Sequence, residues 1–195
     1  MDKIIREFTV VRSSGHEQIY PFTTFSSVLS ANPAPQNNQE KLFLYLKSVF
    51  NHGIKSEAKK TVTEFPKLLI KSQLHTPDHE CDKNILALTS QSGWEGQGNR
   101  QHEIVQNKFF QEDPFTIALE VPVWDEEMTG RIDIVRIKDK NTIQILDFKP
   151  NAFRDKTAPS QLYRYRKLLS KLTGIPLKNI EVLYFDSKTL MEIIL

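Results

Sequence analysis

Three groups of residues have types and spacings suited to chemistry on phosphates. They are Gly130-Arg131-Ile132-Asp133, then Asp147-Phe148-Lys149, then Gln161-Leu162-Tyr163-Arg164-Tyr165. Residues i and i+2 of a strand share a face, so an extended chain points Asp147 and Lys149 the same way. If residues 131–137 and 142–148 pair as a hairpin across the polar turn Lys138-Asp139-Lys140-Asn141, the start of one strand lies beside the end of the other. Asp133 then falls opposite Phe148 or a near neighbour, and two carboxylates and one ammonium meet at one end of a ribbon. Two carboxylates at close range repel, and one takes up a proton unless a cation lies between them. A hard divalent ion removes that penalty. Mg²⁺ prefers one or two carboxylates together with waters and phosphate oxygens. It polarises a phosphoryl group and lowers the pKa of a bound water, and a neighbouring lysine stabilises the developing negative charge. These residue types suit phosphodiester hydrolysis.

Taken together, GRID, a DFK that begins fourteen residues after Asp133, and QxxxY in the next predicted helix resemble the RecB-like branch of the PD-(D/E)xK nuclease superfamily. The likeness covers about residues 99–186. It implies a restriction-endonuclease-like core and a Mg²⁺- or Mn²⁺-dependent nuclease that leaves a 5′-phosphate and a 3′-hydroxyl, with DNA as the favoured substrate. It also implies that Asp133, Asp147 and the backbone oxygen of Phe148 bind the metal, and that Lys149 assists the attacking water. Gln161 and Tyr165 would orient the site and touch nucleic acid. Relatives carry a histidine or glutamate on the first core helix, which selects His102 over Glu103 here. Glu120, ten residues before Gly130, matches a glutamate of the family pattern and is a further metal ligand in this reading. Two departures stand out. Asp147 has a shorter reach than the glutamate many relatives carry there, and a lone cysteine cannot build the four-cysteine iron–sulfur cluster of some members. Two other readings compete: a catalytically inactive nucleic-acid-binding subunit that keeps the fold, and an RNA-cleaving viral endonuclease sharing the metal cluster and histidine.

These groups need elements to hold them. From Asn99 onward the pattern reads helix (99–111, Asn99 as N-cap), three strands (115–124, 131–137, 142–148), helix (159–173, ended by Gly174) and strand (181–185). Gly174 is a natural residue just past a helix. Before that, residues 3–12 read as a strand and 31–38 as a proline- and asparagine-rich linker. Residues 39–50 read as a helix with Leu42, Tyr45, Leu46 and Val49 on one face. A helical stretch over 56–74 is interrupted by Pro66, and a short helix follows with Asp82 as a possible cap. The expected organisation is an α/β protein with a mixed central sheet flanked by helices. Residues 91–195 form the nuclease core and 1–90 an N-terminal, mostly helical elaboration.

The chain has 195 residues, 39% of them hydrophobic and 10% aromatic, with a formal net charge of +2. That fits an ordinary globular domain and excludes a disordered chain. One cysteine, Cys81, excludes a disulfide scaffold. No apolar run approaches the roughly 18 residues that span a bilayer, and the start of the chain lacks a signal-peptide core. The expectation is a soluble cytoplasmic protein with no membrane partner. Against the small overall charge, residues 150–178 carry seven basic side chains, Arg154, Lys156, Arg164, Arg166, Lys167, Lys171 and Lys178, and one acid, Asp155. A solvated helix face explains such a run. So does a surface that tracks phosphates, and on this reading Arg154, Lys156, Arg164 and Lys167 join Gln161 and Tyr165 in holding DNA or RNA. The cluster His75, His79 and Cys81 has donors suited to zinc but no second ligand group. The segment 93–98 is glycine-rich but lacks the GK[ST] ending of a phosphate loop.

Overall fold

Short runs of β-branched and aromatic residues, separated by polar turns, assemble into one eight-stranded mixed sheet. The computed structural model describes residues 2–11, 17–30, 35–54 and 70–194. In chain order the elements are β1 (Lys3–Val11), β2 (Glu17–Phe25), α1 (Ser26–Leu29), α2 (Asn38–His52), β3 (Lys71–Leu74), α3 (Glu80–Gln91) and α4 (Gln101–Glu112). There follow β4 (Thr116–Trp124), β5 (Thr129–Ile137), β6 (Ile143–Phe148), α5 (Ala158–Thr173), β7 (Ile180–Phe185) and β8 (Leu190–Ile194). The strand order is β1-β2-β4-β5-β6-β7-β8-β3. Every neighbouring pair is antiparallel except β6 and β7, which run parallel through the α5 crossover. The fold is thus α/β with helices on both faces. No helix among the described residues is long and apolar enough to cross a membrane.

Strand alternation sorts the apolar side chains into two cores. Ile143 and Ile145 of β6 join Val182 and Tyr184 of β7 in a core closed by Leu42, Leu46 and Val49 of α2 and by Leu162, Leu168 and Leu169 of α5. Leu146 and Phe148 point the other way, with Leu183 and Phe185, into a core closed by Ile85 of α3 and by Val105, Phe109 and Phe110 of α4. The apolar face read for α2 is the face that is buried. Asn37 caps this helix through its side chain, which accepts from the Glu40 amide at 3.0 Å. Gly174 ends α5 in the left-handed conformation, φ 71°, where a side chain would be strained.

Several local expectations change. The proline-interrupted helix expected over 56–74 lies outside the described residues as far as 69, and its last four residues are the strand β3. The N-terminal ninety residues supply three of the eight strands as well as helices. The hairpin strand β2 and the strand β8, which lies between β7 and β3, add to the strands read from the sequence. Asn99 does not cap α4, since a short 3-10 turn over Gly98–Arg100 leads directly into it. Asp82 does not cap α3 either. His79 does, accepting from the Cys81 amide at 3.2 Å, while Asp82 is buried in the first turn as part of a polar network.

That network locks the end of the sheet away from the chemistry-bearing groups. Both ring nitrogens of His75 face carboxylates, Nε2 at 3.1 Å from Asp82 Oδ2 and Nδ1 at 3.2 Å from Glu192 Oε2. Carboxylates only accept, so the geometry calls for a doubly protonated imidazolium. The hydrogen bond to Asp82 outweighs desolvation and holds the His75 pKa above its ordinary value. Asp82 also accepts from Gln144 at 2.6 Å. Beside it, fully buried Arg136 donates to Asp113 at 2.7 and 3.1 Å, to Gln144 at 3.0 Å and to the Cys81 carbonyl at 2.5 Å. Burial pushes the Cys81 thiol up to about 12, as in a core cysteine, and the donor atoms of His75, His79 and Cys81 do not gather into a metal-binding group.

Two stability outcomes follow. A histidine whose folded pKa is raised stabilises fully below its unfolded pKa and loses that contribution as pH climbs through the folded value. The stability gap between the native chain and His75→Gln, from urea unfolding, should be about 1–3 kcal/mol near pH 6 and shrink toward pH 8.5. A gap that does not change with pH would show that folding leaves the His75 pKa unshifted, and one that grows with pH would show that His75 is held neutral. Asp113→Ala, which leaves the Arg136 guanidinium buried without its carboxylate, should cost about 3–5 kcal/mol in the same assay.

Candidate metal centre

The chemistry-bearing residues sit where β5 and β6 meet α4 and α5. The register runs Ile134 opposite Leu146 and Val135 opposite Ile145. Continued by one step, it sets Asp133 against Asp147, one residue from the expected partner Phe148. The Phe148 amide itself donates to Asp133 Oδ2 at 3.4 Å. α4 lies over this end of the sheet and brings His102 Nδ1 to 3.1 Å from the same oxygen. One donor atom from each of His102, Asp133 and Asp147 lies within 4.8 Å of the others. The His102 ring packs edge-on against Phe148 at 5.2 Å, and Trp94 does so from another side at 5.0 Å.

Electrostatics at this cluster are unbalanced. Burial, and next the charge of Asp133, push the Asp147 carboxyl well above the usual carboxylate range. Burial acts on Asp133 in the same sense, but hydrogen bonding with His102 and Asp147 prevails and holds it below that range. The His102 pKa is raised chiefly by its hydrogen bond to Asp133. Asp147 Oδ2 is buried and has no well-directed hydrogen bond among the described residues, although Lys149 Nζ lies 2.7 Å away. Burial works to lower the Lys149 pKa, but the Asp147 and Asp133 charges outweigh it and hold the ammonium charged. An imidazole and two carboxylates at this spacing form a donor set that suits a hard divalent cation.

Lys149 is held from its other side. Its Nζ donates to Gln161 Oε1 at 3.3 Å, and Gln161 Nε2 donates to the Tyr165 hydroxyl at 3.1 Å. Residues four apart on α5 are neighbours on one face, which is why a Gln and a Tyr at this spacing act together. The spacing alone did not reveal the seat of the Tyr165 ring. A Cβ on Gly130 would lie 2.1 Å from Tyr165 Cε1, so the ring occupies the space a side chain would take. Tyr165 is buried, 7% exposed. It holds Gln161 from inside the protein, with little of its ring left at the surface.

Glu120 stands beside the cluster but outside it. Its Oε1 accepts from Gln106 Nε2 at 2.5 Å and its Oε2 from Arg131 Nη1. Burial, then the Asp133 charge, raise its pKa. Glu120 is the sole non-glycine residue with positive φ among those described, at 53°, a conformation that costs about 1–3 kcal/mol and concentrates at functional sites. Its effect on the sheet is visible. Leu119 pairs with Ile134 and both face the α3–α4 core, while Val121 pairs with Ile132 and both face the α2–α5 core. Residues two apart should share a face, so the pleat changes phase at the step that carries Glu120 and Asp133. Glu103 is exposed and pairs with Arg100, at 3.4 Å.

The basic residues fall into two sets. Arg154 and Lys156 are exposed on the turn between β6 and α5, and Lys167 is exposed with its Nζ 5.4 Å from the Tyr163 ring centre. Arg164 is half-buried on α5. Arg166 is structural, bound to the Leu177 carbonyl at 2.5 and 3.1 Å. Gln106 and Trp94 carried no signal in the sequence, whereas Gly130 and Arg131 had one, their place in GRID, although the pattern gave no role to either.

No family model matches this chain, and neither a curated protein nor a solved structure matches it.

Gly130→Ala should destabilise the protein by about 1–3 kcal/mol through overpacking. In a Tyr165→Ala background, which vacates the space, the same change should cost less than about 0.5 kcal/mol, a coupling that a double-mutant cycle on urea unfolding reads directly. Equal costs in both backgrounds would mean that the ring does not depend on this glycine.

Proposed function

We propose that this chain is a metal-dependent nuclease with a restriction-endonuclease-like core, hydrolysing phosphodiester bonds in DNA. The observation that carries the reading is the convergence of His102, Asp133 and Asp147, with Lys149 2.7 Å from a buried Asp147 oxygen. The order α4, β4, β5, β6, α5, β7 and the parallel β6–β7 pairing support it, since the resemblance of GRID, DFK and QxxxY implies that succession.

Asp133, Asp147 and His102 would hold Mg²⁺ or Mn²⁺, aided by the Phe148 backbone carbonyl. The ion, when bound, supplies Lewis-acid polarisation of the phosphoryl group and a water of lowered pKa. The protein groups supply the rest. Lys149 offers a fixed positive charge where negative charge builds on the phosphoryl oxygens. Gln161 and Asp147 hold that ammonium from two sides, and Tyr165, seated on Gly130, fixes Gln161. Gln106 and Arg131 restrain Glu120 next to Asp133, within reach of the cluster's electrostatic field. The exposed Arg154, Lys156 and Lys167, with Arg164, hold the sugar–phosphate backbone.

The test is cleavage of end-labelled linear and closed circular DNA, single- and double-stranded, with Mg²⁺, Mn²⁺ or EDTA, beside matched RNA. Cleavage should require metal. Lys149→Ala should lower it at least about 100-fold while leaving Mn²⁺ binding, read by electron paramagnetic resonance, within about twofold. Asp133→Asn and Asp147→Asn should lose both. Salt-sensitive DNA binding without cleavage under any metal would favour a non-catalytic binding subunit, and cleavage confined to RNA would reassign the substrate.

A further inference from the structure

Four residues beyond Lys149, a phenylalanine stands in solvent. Phe153 is 67% exposed, the most exposed large hydrophobic side chain among the described residues and the sole aromatic in that group. Its backbone is not loose. It lies in a 3-10 turn, Ala152–Arg154, whose first residue is fully buried and donates its amide to Asp186 Oδ2 at 2.9 Å. Asp186 is fixed in turn by the Lys188 and Thr189 amides, at 2.8 and 2.7 Å to its Oδ1. The turn closes through Arg154 N to Asn151 O at 3.0 Å and Asp155 N to Ala152 O at 3.1 Å. A rigid turn therefore holds an aromatic face out into water.

Its surroundings select the kind of partner. Exposed Arg154 and Lys156 follow it in the chain. The only nearby acid in the sequence, Asp155, is occupied at the start of α5, where its Oδ1 accepts from the Thr157 and Ala158 amides at 2.7 and 2.8 Å. Asp155 is also close enough to Lys149 for the two charges to act on one another, which sets this turn at the margin of the metal centre. A flat apolar face with exposed cations one and three residues along the chain matches a nucleobase and its own phosphates, because bases stack on aromatic rings while the backbone meets the cations.

We propose that Phe153 is a stacking platform for an unpaired nucleobase next to the scissile phosphate, so that the protein prefers single strands or frayed ends over closed duplex. This rests on the nuclease reading and adds the form of its substrate. A base inside a duplex has both faces covered by its neighbours, and only an unpaired or terminal base can be splayed onto the ring.

The experiment measures fluorescence anisotropy of a short labelled single-stranded oligodeoxynucleotide, and of the matching blunt duplex, with the full chain in EDTA and in Ca²⁺. Phe153→Ala should weaken single-strand binding about 10- to 100-fold and duplex binding less than about twofold. Phe153→Trp should retain single-strand affinity. A strand made wholly of abasic sites should bind the native protein and Phe153→Ala alike. The slope of log affinity against log salt should stay the same in Phe153→Ala, because no phosphate contact is lost. Unchanged single-strand affinity in Phe153→Ala, or equal losses on strand and duplex, would overturn the stacking assignment while leaving the nuclease reading in place. Native protein that binds no nucleic acid in either condition would overturn both.

Discussion

Two carboxylates, Asp133 and Asp147, are held on neighbouring strands with little solvent to separate them. Like charges at such separations repel by roughly 3–4 kcal/mol at an effective dielectric of about 20, and burial adds to the penalty. The local structure is arranged around that repulsion. His102 meets it from α4 and Lys149 from the end of β6, so cations reach the pair from both faces of the sheet. The balance stays incomplete, since the Asp147 carboxyl remains pushed well up and one of its oxygens lacks a directed hydrogen bond. A site that would relax on gaining a divalent cation is what the nuclease proposal requires.

Lys149 forms a 2.7 Å ion pair with buried Asp147, and a second contact on its other side fixes where the ammonium sits. Gln161 holds it from α5, and the Gly130 gap lets Tyr165 descend onto β5 to hold Gln161. Three short sequence groups thereby become one connected structure: a glycine that makes room, a tyrosine that fills it, and a glutamine that reads out the position to the lysine. The change of pleat phase at Glu120 works at the same step of the sheet. It keeps Leu119 and Ile134 in one core and Val121 and Ile132 in the other, while Gln106 and Arg131 hold the glutamate.

The opposite end of the sheet carries a different polar network, in which Arg136, Asp113, Gln144, Asp82 and His75 are mutually satisfied. The contrast is chemical. There the cations and hydrogen bonds match the carboxylates, and among the described residues the network leaves no buried side-chain atom without a partner. At the cluster of His102, Asp133 and Asp147 the match is incomplete, since Asp147 Oδ2 has an ion pair with Lys149 but no directed hydrogen bond among the described residues. Complete satisfaction fits a scaffold role, and a buried oxygen short of hydrogen bonds fits the proposed ligand site.

The sequence by itself determined the α/β class, the succession of elements from α4 to β7, the apolar face of α2 and the end of α5 at Gly174. These follow from local periodicity and turn chemistry, which adjacent residues carry. Residue type and the period-two strand rule also singled out Asp133, Asp147 and Lys149, while Gln161 and His102 were singled out by the resemblance of GRID, DFK and QxxxY to a known family. What only the tertiary structure decided depends on contacts between distant segments. Tyr165 is buried because Gly130, thirty-five residues earlier in the chain, leaves a gap. Arg136 sits in the core because Asp113 and the Cys81 carbonyl await it there, and Asp82 pairs with His75 and Gln144 where local pattern made it a cap. Phe153 stands in solvent because Asp186 pins the turn beneath it. Burial and pairing are properties of the assembled sheet, and no local window contains the partners that set them.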